Sequence, residues 1–290
     1  MKKTFLPAIL LAASLALLPA FSAQAGRVVT DSLYSTVLGA QVKYNVYLPD
    51  DFEKSDKQYP VVYLLHGLSD DYGTWVRAGR MQLVAEELEG TGESCETVIV
   101  MPNAGGPDIH RVWNGYFNMP GWRYEDFFFQ EFIPSVEAKY NIVGDKGHRA
   151  VMGLSMGGGG SIVYCQRHPE MFSSCYAMSP WLDNANDEVW PLDSPMDCLH
   201  IVAHSVRAHS ALDFIGQADE ATLERLRSVA WFIDCGDDDY LLHQSLAFHQ
   251  KMRERKVKSE LRVRNGVHNW EYWHLALRLA LPFASRNFSN

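Results

Sequence analysis

Four short stretches of the chain are apolar almost from end to end: Val61-Val-Tyr-Leu-Leu65, Thr97 to Met101, Ala150 to Leu154 and Val229 to Ile233. Continuous apolar runs of strand length suit strands covered on both faces, as in a parallel sheet. Ahead of them, Arg27 to Thr36 and Ala40 to Leu48 partly alternate apolar and polar residues and predict a β-rich entry. Glu260 to Arg264 alternates strictly, as an edge strand would. Between these runs lie segments of helical spacing: Trp75 to Glu89, Tyr124 to Tyr140, Ser161 to Arg167, Leu241 to Arg255 and Tyr272 to Phe283. In the second, Phe128, Phe132, Val136 and Tyr140 recur every four residues, and Pro134 predicts a kink. Strands alternating with helices predict an α/β fold, a doubly wound and mostly parallel sheet with helices on both faces. Ligands then bind beyond the carboxyl ends of the strands. Residues 180–228 break the rhythm, with helices predicted over Asp197 to Phe214 and Glu220 to Arg227. This insertion falls between two core strands on the catalytic side, and the two readings of it are a lid or substrate platform and a decorative helical insert.

The apolar run at Ala150 leads into Gly153-Leu-Ser-Met-Gly157, and more glycine precedes the helical stretch. Strand, tight turn and helix with a serine at the apex is the pattern of a nucleophile elbow. The serine must take a strained conformation to lift its hydroxyl above the sheet, and flanking glycines remove the Cβ atoms that would clash. The helix N-terminus then points free N–H groups at Ser155, where an oxyanion would be stabilised.

A serine nucleophile needs a base, an acid to orient that base, and oxyanion donors, and on this fold serine, acid and histidine follow in that order. Val229 to Ile233 runs into Asp234-Cys-Gly-Asp-Asp-Asp-Tyr240, and Glu260 to Arg264 runs into Asn265-Gly-Val-His268. A carboxylate and His268 therefore each follow a predicted strand. Chemistry alone leaves Asp237, Asp238 and Asp239 open. The expected oxyanion donors are the amides of Met156, just after the serine, and of Leu68, in His66-Gly67-Leu68 after an early strand. His66 is then a structural residue shaping that loop. His200 and His204 are four apart, but no Glu sits beside the first and no third ligand is apparent, so packing or surface roles are expected and no metal.

Lys2 and Lys3, an apolar stretch from Phe5 to Leu18, and Ala23-Gln-Ala25 read as a cleavable export signal over residues 1–25, leaving a single catalytic domain from 26 to 290. No later stretch is long and apolar enough to span a membrane. The formal net charge is −9, and losing two lysines makes the mature chain more acidic, which discourages nucleic-acid and anionic-membrane partners. The five cysteines (Cys95, Cys165, Cys175, Cys198 and Cys235) show no framework spacing, and their odd number leaves at least one thiol free in a monomer.

Together, Tyr59-Pro-Val-Val-Tyr-Leu-Leu-His-Gly67, Phe132-Ile-Pro, Gly153-Leu-Ser-Met-Gly157, Gly236-Asp-Asp-Asp-Tyr-Leu241 and His268-Asn-Trp270 resemble the putative-esterase branch of the α/β-hydrolases. That branch holds esterase D, the mycolyltransferases, and the feruloyl and acetylxylan esterases of carbohydrate esterase family 1. The resemblance runs from about Thr30 to Phe283. It implies an α/β-hydrolase fold, a triad of Ser155, His268 and Asp239 (the fourth residue of the Gly-x-x-Asp turn), the Leu68 and Met156 oxyanion amides, and no cofactor. Asn269 departs from relatives that carry Asp, Ser or Thr before the Trp. The implied partner is an acylated polysaccharide or oligosaccharide, or a small ester, with feruloyl or acetyl esters of plant cell walls favoured. Trp113, Tyr116 and Trp181 are the expected substrate-binding aromatics. The rival readings are a mycolyltransferase-like acyltransferase and a carbohydrate-binding module on an inactive hydrolase fold.

Overall fold

A computed structural model describes residues 26–54, 56–185 and 196–289. The expected export signal and residues 186–195 of the expected lid lie outside the described residues.

Eight strands form one sheet: β1 (Arg27–Ser35), β2 (Ala40–Leu48), β3 (Val61–Leu65), β4 (Val98–Pro102), β7 (Arg149–Leu154), β8 (Ser174–Met178), β9 (Ala230–Gly236) and β10 (Glu260–Arg264). Their order is β1-β2-β4-β3-β7-β8-β9-β10, antiparallel at β1-β2 and β2-β4 and parallel from there on. β10 is an edge strand, as its alternation predicts. β5 (Asn118–Met119) and β6 (Trp122–Arg123) make a separate small hairpin.

The pleat divides each buried strand between two cores. Val61, Tyr63 and Leu65 of β3 face one cluster, while Val62 and Leu64 face the other. The second cluster is closed by α2 (Met81–Thr91) and α10 (Trp270–Arg286), and the first by the segment 124–139 and α5 (Met156–Arg167). Both faces of the sheet are thus covered, which is why the strands read as unbroken apolar runs.

Several predicted elements differ in detail. The helix expected over Trp75 to Glu89 is two, α1 (Thr74–Arg77) and α2, because Arg80 takes a left-handed φ of 50°. The segment from Tyr124 continues helically to Lys139, through α3 (Tyr124–Phe127), a π-helical turn at Phe128–Phe132 and α4 (Ile133–Lys139). The wide turn precedes Pro134, which has no N–H to continue the α-helical ladder. Strand β8 was not expected; Ser174-Cys-Tyr-Ala-Met178 contains no β-branched residue, and its pairing with β7 and β9 supplies what propensity does not.

In the insertion, the helix expected over Asp197 to Phe214 is split into α6 (Cys198–Ala208) and α7 (Ala211–Gln217). Ser210 causes the break: its side chain caps α7 by accepting from the Asp213 N–H. Helices α8 (Glu220–Leu226) and α9 (Leu242–Glu254) complete the set. All five cysteines are free thiols, with Cys165, Cys175 and Cys235 buried.

Candidate active site

At the carboxyl end of β7 the chain turns at Ser155 with φ 51° and ψ −116°. A residue with a Cβ holds such a conformation only when its surroundings over-determine it. Here the Ser155 N–H donates to the Met178 carbonyl at 2.9 Å, and its own carbonyl accepts from Gly159 and Trp181, each at 3.0 Å. Helix α5 begins at the next residue, so the Met156 N–H is one of the unpaired donors of its first turn. The expected helix started later, at Ser161. Glycines 157–160 are poor helix formers, and close packing overrides that cost. A Cβ on Gly157 would lie 2.5 Å from the His66 carbonyl oxygen, and one on Gly153 would lie 2.5 Å from the Gly157 oxygen.

The loop after β3 is clamped by His66. The Ala104 N–H, which can only donate, bonds to His66 Nε2 at 2.9 Å, so Nδ1 carries the proton and donates to the Gly67 carbonyl at 2.8 Å. Burial pushes the His66 pKa down to about 4 and keeps the ring neutral. The clamp brings Gly67 over the elbow: a Cβ at Gly67 would lie 3.7 Å from the Ser155 Cβ. Among the described residues, neither the Leu68 nor the Met156 N–H has an acceptor. Nearby, burial raises the Asp70 carboxyl to about 6 although the Gly67 N–H donates to it.

His268 lies between β10 and α10. Its Nε2 is 2.9 Å from Ser155 Oγ, and its Nδ1 is 2.8 Å and 3.0 Å from the two Asp239 oxygens. A carboxylate only accepts, so Nδ1 bears the proton and Nε2 is free to take one from the serine. Asp239 follows β9 and also accepts from the Leu241 N–H at 2.8 Å. Burial pushes its pKa up, but the His268 hydrogen bond and charge and the Leu241 amide outweigh this and hold it below the usual carboxylate range. The neighbouring aspartates do other things: Asp237 accepts from the Gly266 N–H at 2.9 Å, and Asp238 is exposed. Tyr240 lies 4.6 Å from the His268 ring, and Trp273 meets that ring edge-on at 4.8 Å. Asn269 is the N-cap of α10, accepting from the Tyr272 N–H at 3.0 Å. Asp, Ser and Thr do the same work, so the departure at this position conserves the cap.

Hydroxyl, imidazole and carboxylate in line, beside two unpaired amides, can activate an oxygen nucleophile and stabilise the oxyanion its attack creates. The three expected aromatics fare differently. Tyr116 is 1% exposed and its hydroxyl donates to the His66 carbonyl at 3.0 Å, so it props the loop from within and offers no binding surface. Trp181 is 4% exposed, and its backbone N–H supports the elbow. Trp113 is half-buried, stacked on Trp122 at 6.0 Å, and lines a cavity of about 310 Å³ with Gln41, Asn103 and Arg111. Sequence reasoning missed Trp273, which meets the His268 ring, and Asp234. Fully buried Asp234 binds the hydroxyls of Tyr176 (2.6 Å) and Tyr272 (2.5 Å) and the Arg262 guanidinium (2.5 Å), tying the sheet to α10. Their signal lies in tertiary contacts, not in spacing.

The mostly parallel sheet and the elbow define an α/β-hydrolase fold. The Putative esterase family model matches residues 35–284, and the chain belongs to that family. A solved ferulic acid esterase is 48% identical, with a TM-score of 0.88, over 91% of this chain and 99% of its own. An endo-1,4-beta-xylanase/feruloyl esterase of Xylanibacter ruminicola is 30% identical over 151 residues, 51% of this chain. An esterase of Mycobacterium tuberculosis is 32% identical over 150 residues, 50% of this chain. The chain spans 20% and 30% of the lengths of these two curated relatives.

Proposed function

We propose that the chain is a serine esterase that hydrolyses carboxylic esters through an acyl-enzyme. The observation that carries this is the 2.9 Å contact between His268 Nε2 and Ser155 Oγ, with Asp239 behind the imidazole. Ser155 Oγ attacks the ester carbonyl while His268 takes its proton, and the Leu68 and Met156 amides receive the oxyanion. His268 then protonates the departing alcohol, and Asp239 stabilises the imidazolium throughout. Water, deprotonated by the same imidazole, releases the acid and restores the serine. The preferred acyl groups are feruloyl or acetyl, on plant cell-wall polysaccharide; the 48% likeness to a ferulic acid esterase over nearly the whole chain supports this. The half-buried Trp113 suits an aromatic acyl group or a sugar face. Residues 1–25 act as an export signal, and 26–290 form the single catalytic domain. A panel of p-nitrophenyl acetate, p-nitrophenyl butyrate and methyl ferulate tests the reading: ferulate or acetate release is expected at the highest kcat/KM. An enzyme that turns over none of them would refute it.

A further inference from the structure

The Trp113 indole lies flat against Trp122, 6.0 Å between centroids and 9° between planes. Trp122 stacks in turn on Tyr124, which is fully buried, so the pair is anchored in the core. Both indoles wall the cavity of about 310 Å³. That volume lies at the small end of ligand sites, the scale of a single sugar unit. The cavity lies at the carboxyl end of the sheet. Strand β2 runs antiparallel to β4 with Tyr44 opposite Pro102, so Gln41 and Val42 lie past the end of β4, level with the loop that starts at Asn103. Three bonds join this loop to the one carrying the Leu68 amide. The Tyr72 N–H donates to Asn103 Oδ1 at 3.2 Å, the Ala104 N–H to His66 Nε2 at 2.9 Å, and the Ser69 N–H to Asn114 Oδ1 at 3.4 Å. A molecule in the cavity therefore sits beside the proposed oxyanion loop, on a wall fixed relative to it.

The polar groups of the cavity are few. Asn103 uses its carbonyl on Tyr72, which leaves its NH₂ to donate. Gln41 uses its NH₂ on Ser32 Oγ at 2.7 Å, which leaves its carbonyl to accept. Arg111 is exposed at the edge and, among the described residues, makes no ion pair and no side-chain hydrogen bond. No carboxylate lines the cavity. In a chain of net charge −9, this guanidinium is a charge without a counterpart beside a flat aromatic wall.

We propose that the cavity is a subsite for a carboxylate-bearing sugar ring, a uronic acid carried on the polysaccharide. Arg111 takes the carboxylate, for which its planar fork is shaped, and the Trp113 face takes the ring. The Asn103 amide and the Gln41 carbonyl take sugar hydroxyls. A neutral sugar meets the same ring and amides but leaves the guanidinium to water, so the charge is what discriminates. The choice of a sugar ligand rests on the proposed action on polysaccharide esters; the cavity and its charge do not.

The test is titration calorimetry on the whole protein. The probes are a xylo-oligosaccharide bearing one glucuronic acid and the neutral xylo-oligosaccharide of the same length, neither esterified, so neither is turned over. The acidic probe is expected to bind about tenfold more tightly, as for a charge-assisted hydrogen bond, and the advantage should shrink as salt is raised. Arg111→Gln has no structural partner to lose; it should abolish the advantage and leave the neutral Kd within about twofold. Arg111→Lys keeps the charge without the fork and should retain part of it. Trp113→Ala should weaken both probes by the same factor. The proposal is overturned if the wild type binds the two probes within twofold of each other or binds neither, or if Arg111→Gln keeps the preference. Free ferulate is a flat carboxylate without a sugar; if it binds as tightly as the acidic probe, the sugar assignment is overturned. The ester panel on the wild type judges the esterase reading separately. A protein that hydrolyses no ester yet prefers the acidic probe loses that reading and keeps the subsite. One that hydrolyses esters and binds both probes alike keeps the reading and loses the subsite.

Discussion

Gly157 and His66 approach so closely that a Cβ on the glycine would lie 2.5 Å from the histidine's carbonyl oxygen. One amide of the proposed oxyanion hole follows Ser155 at the start of α5, and the other follows Gly67 in the loop that His66 clamps. The absent side chain at 157 is what allows the two to share one space. Gly157→Ala must push α5 away from the loop, because the obstructing atoms are backbone. The expected result is a fall in kcat of roughly 10²-fold or more, the scale of losing an oxyanion donor. Steady-state kinetics with p-nitrophenyl acetate check this, and circular dichroism should show an intact fold.

His66 makes the fold sensitive to acid. Its folded pKa is about 4, below the ordinary 6.5, so the unfolded chain binds the extra proton first. Stability from this group is complete above pH 6.5 and is lost as pH falls through 4. A shift of that size corresponds to about 3 kcal/mol. Urea denaturation at pH 7 and pH 4.5 should show a smaller loss in His66→Gln than in the wild type, alongside a lower starting stability from the altered clamp.

Asp70 works in the opposite direction. Its folded pKa, about 6, lies above the ordinary 3.8, so the folded state holds the proton more tightly. The stabilisation it gives is complete below pH 3.8 and is lost as pH rises through 6. Asp70→Asn should therefore raise Tm relative to the wild type more at pH 8 than at pH 4.5. After discounting for partial exposure, the difference is about 1–2 kcal/mol. Differential scanning calorimetry at the two pH values measures it.

Much of this arrangement is legible in the residues. The apolar runs announce the buried strands, and glycines two residues either side of Ser155 announce the elbow. His268 follows from strand order alone. The acid does not, because Asp237, Asp238 and Asp239 are chemically alike; which one turns inward depends on the Leu241 amide and on His268 across the loop. Resemblance, not chemistry, selected Asp239. Tyr116 was expected at a binding surface because aromatic faces stack on sugar and phenolic rings, but its burial against His66 appears only in three dimensions. Strand β8, the start of α5 at Met156 and the Ser179–Trp273 bond all depend on contacts between distant parts of the chain, which local propensity does not encode.

Asp239→Asn separates orientation from charge. The amide keeps the shape of the carboxylate but can present its NH₂ to His268 Nδ1, which favours the wrong tautomer. A loss of roughly 10⁴-fold in kcat is expected, with KM little changed. Kinetics on methyl ferulate and an acetyl ester should give the same factor, since the acid acts on the base and not on the acyl group.

In the proposed mechanism Ser155 Oγ carries the acyl group because His268 removes its proton. Mass spectrometry of peptides after treatment with a fluorophosphonate serine reagent tests it most directly. One adduct is expected, on the peptide carrying Ser155, formed in step with loss of ester hydrolysis and absent from His268→Ala. Labelling of another residue with Ser155 unmodified, or full labelling of Ser155 with hydrolysis retained, would contradict it.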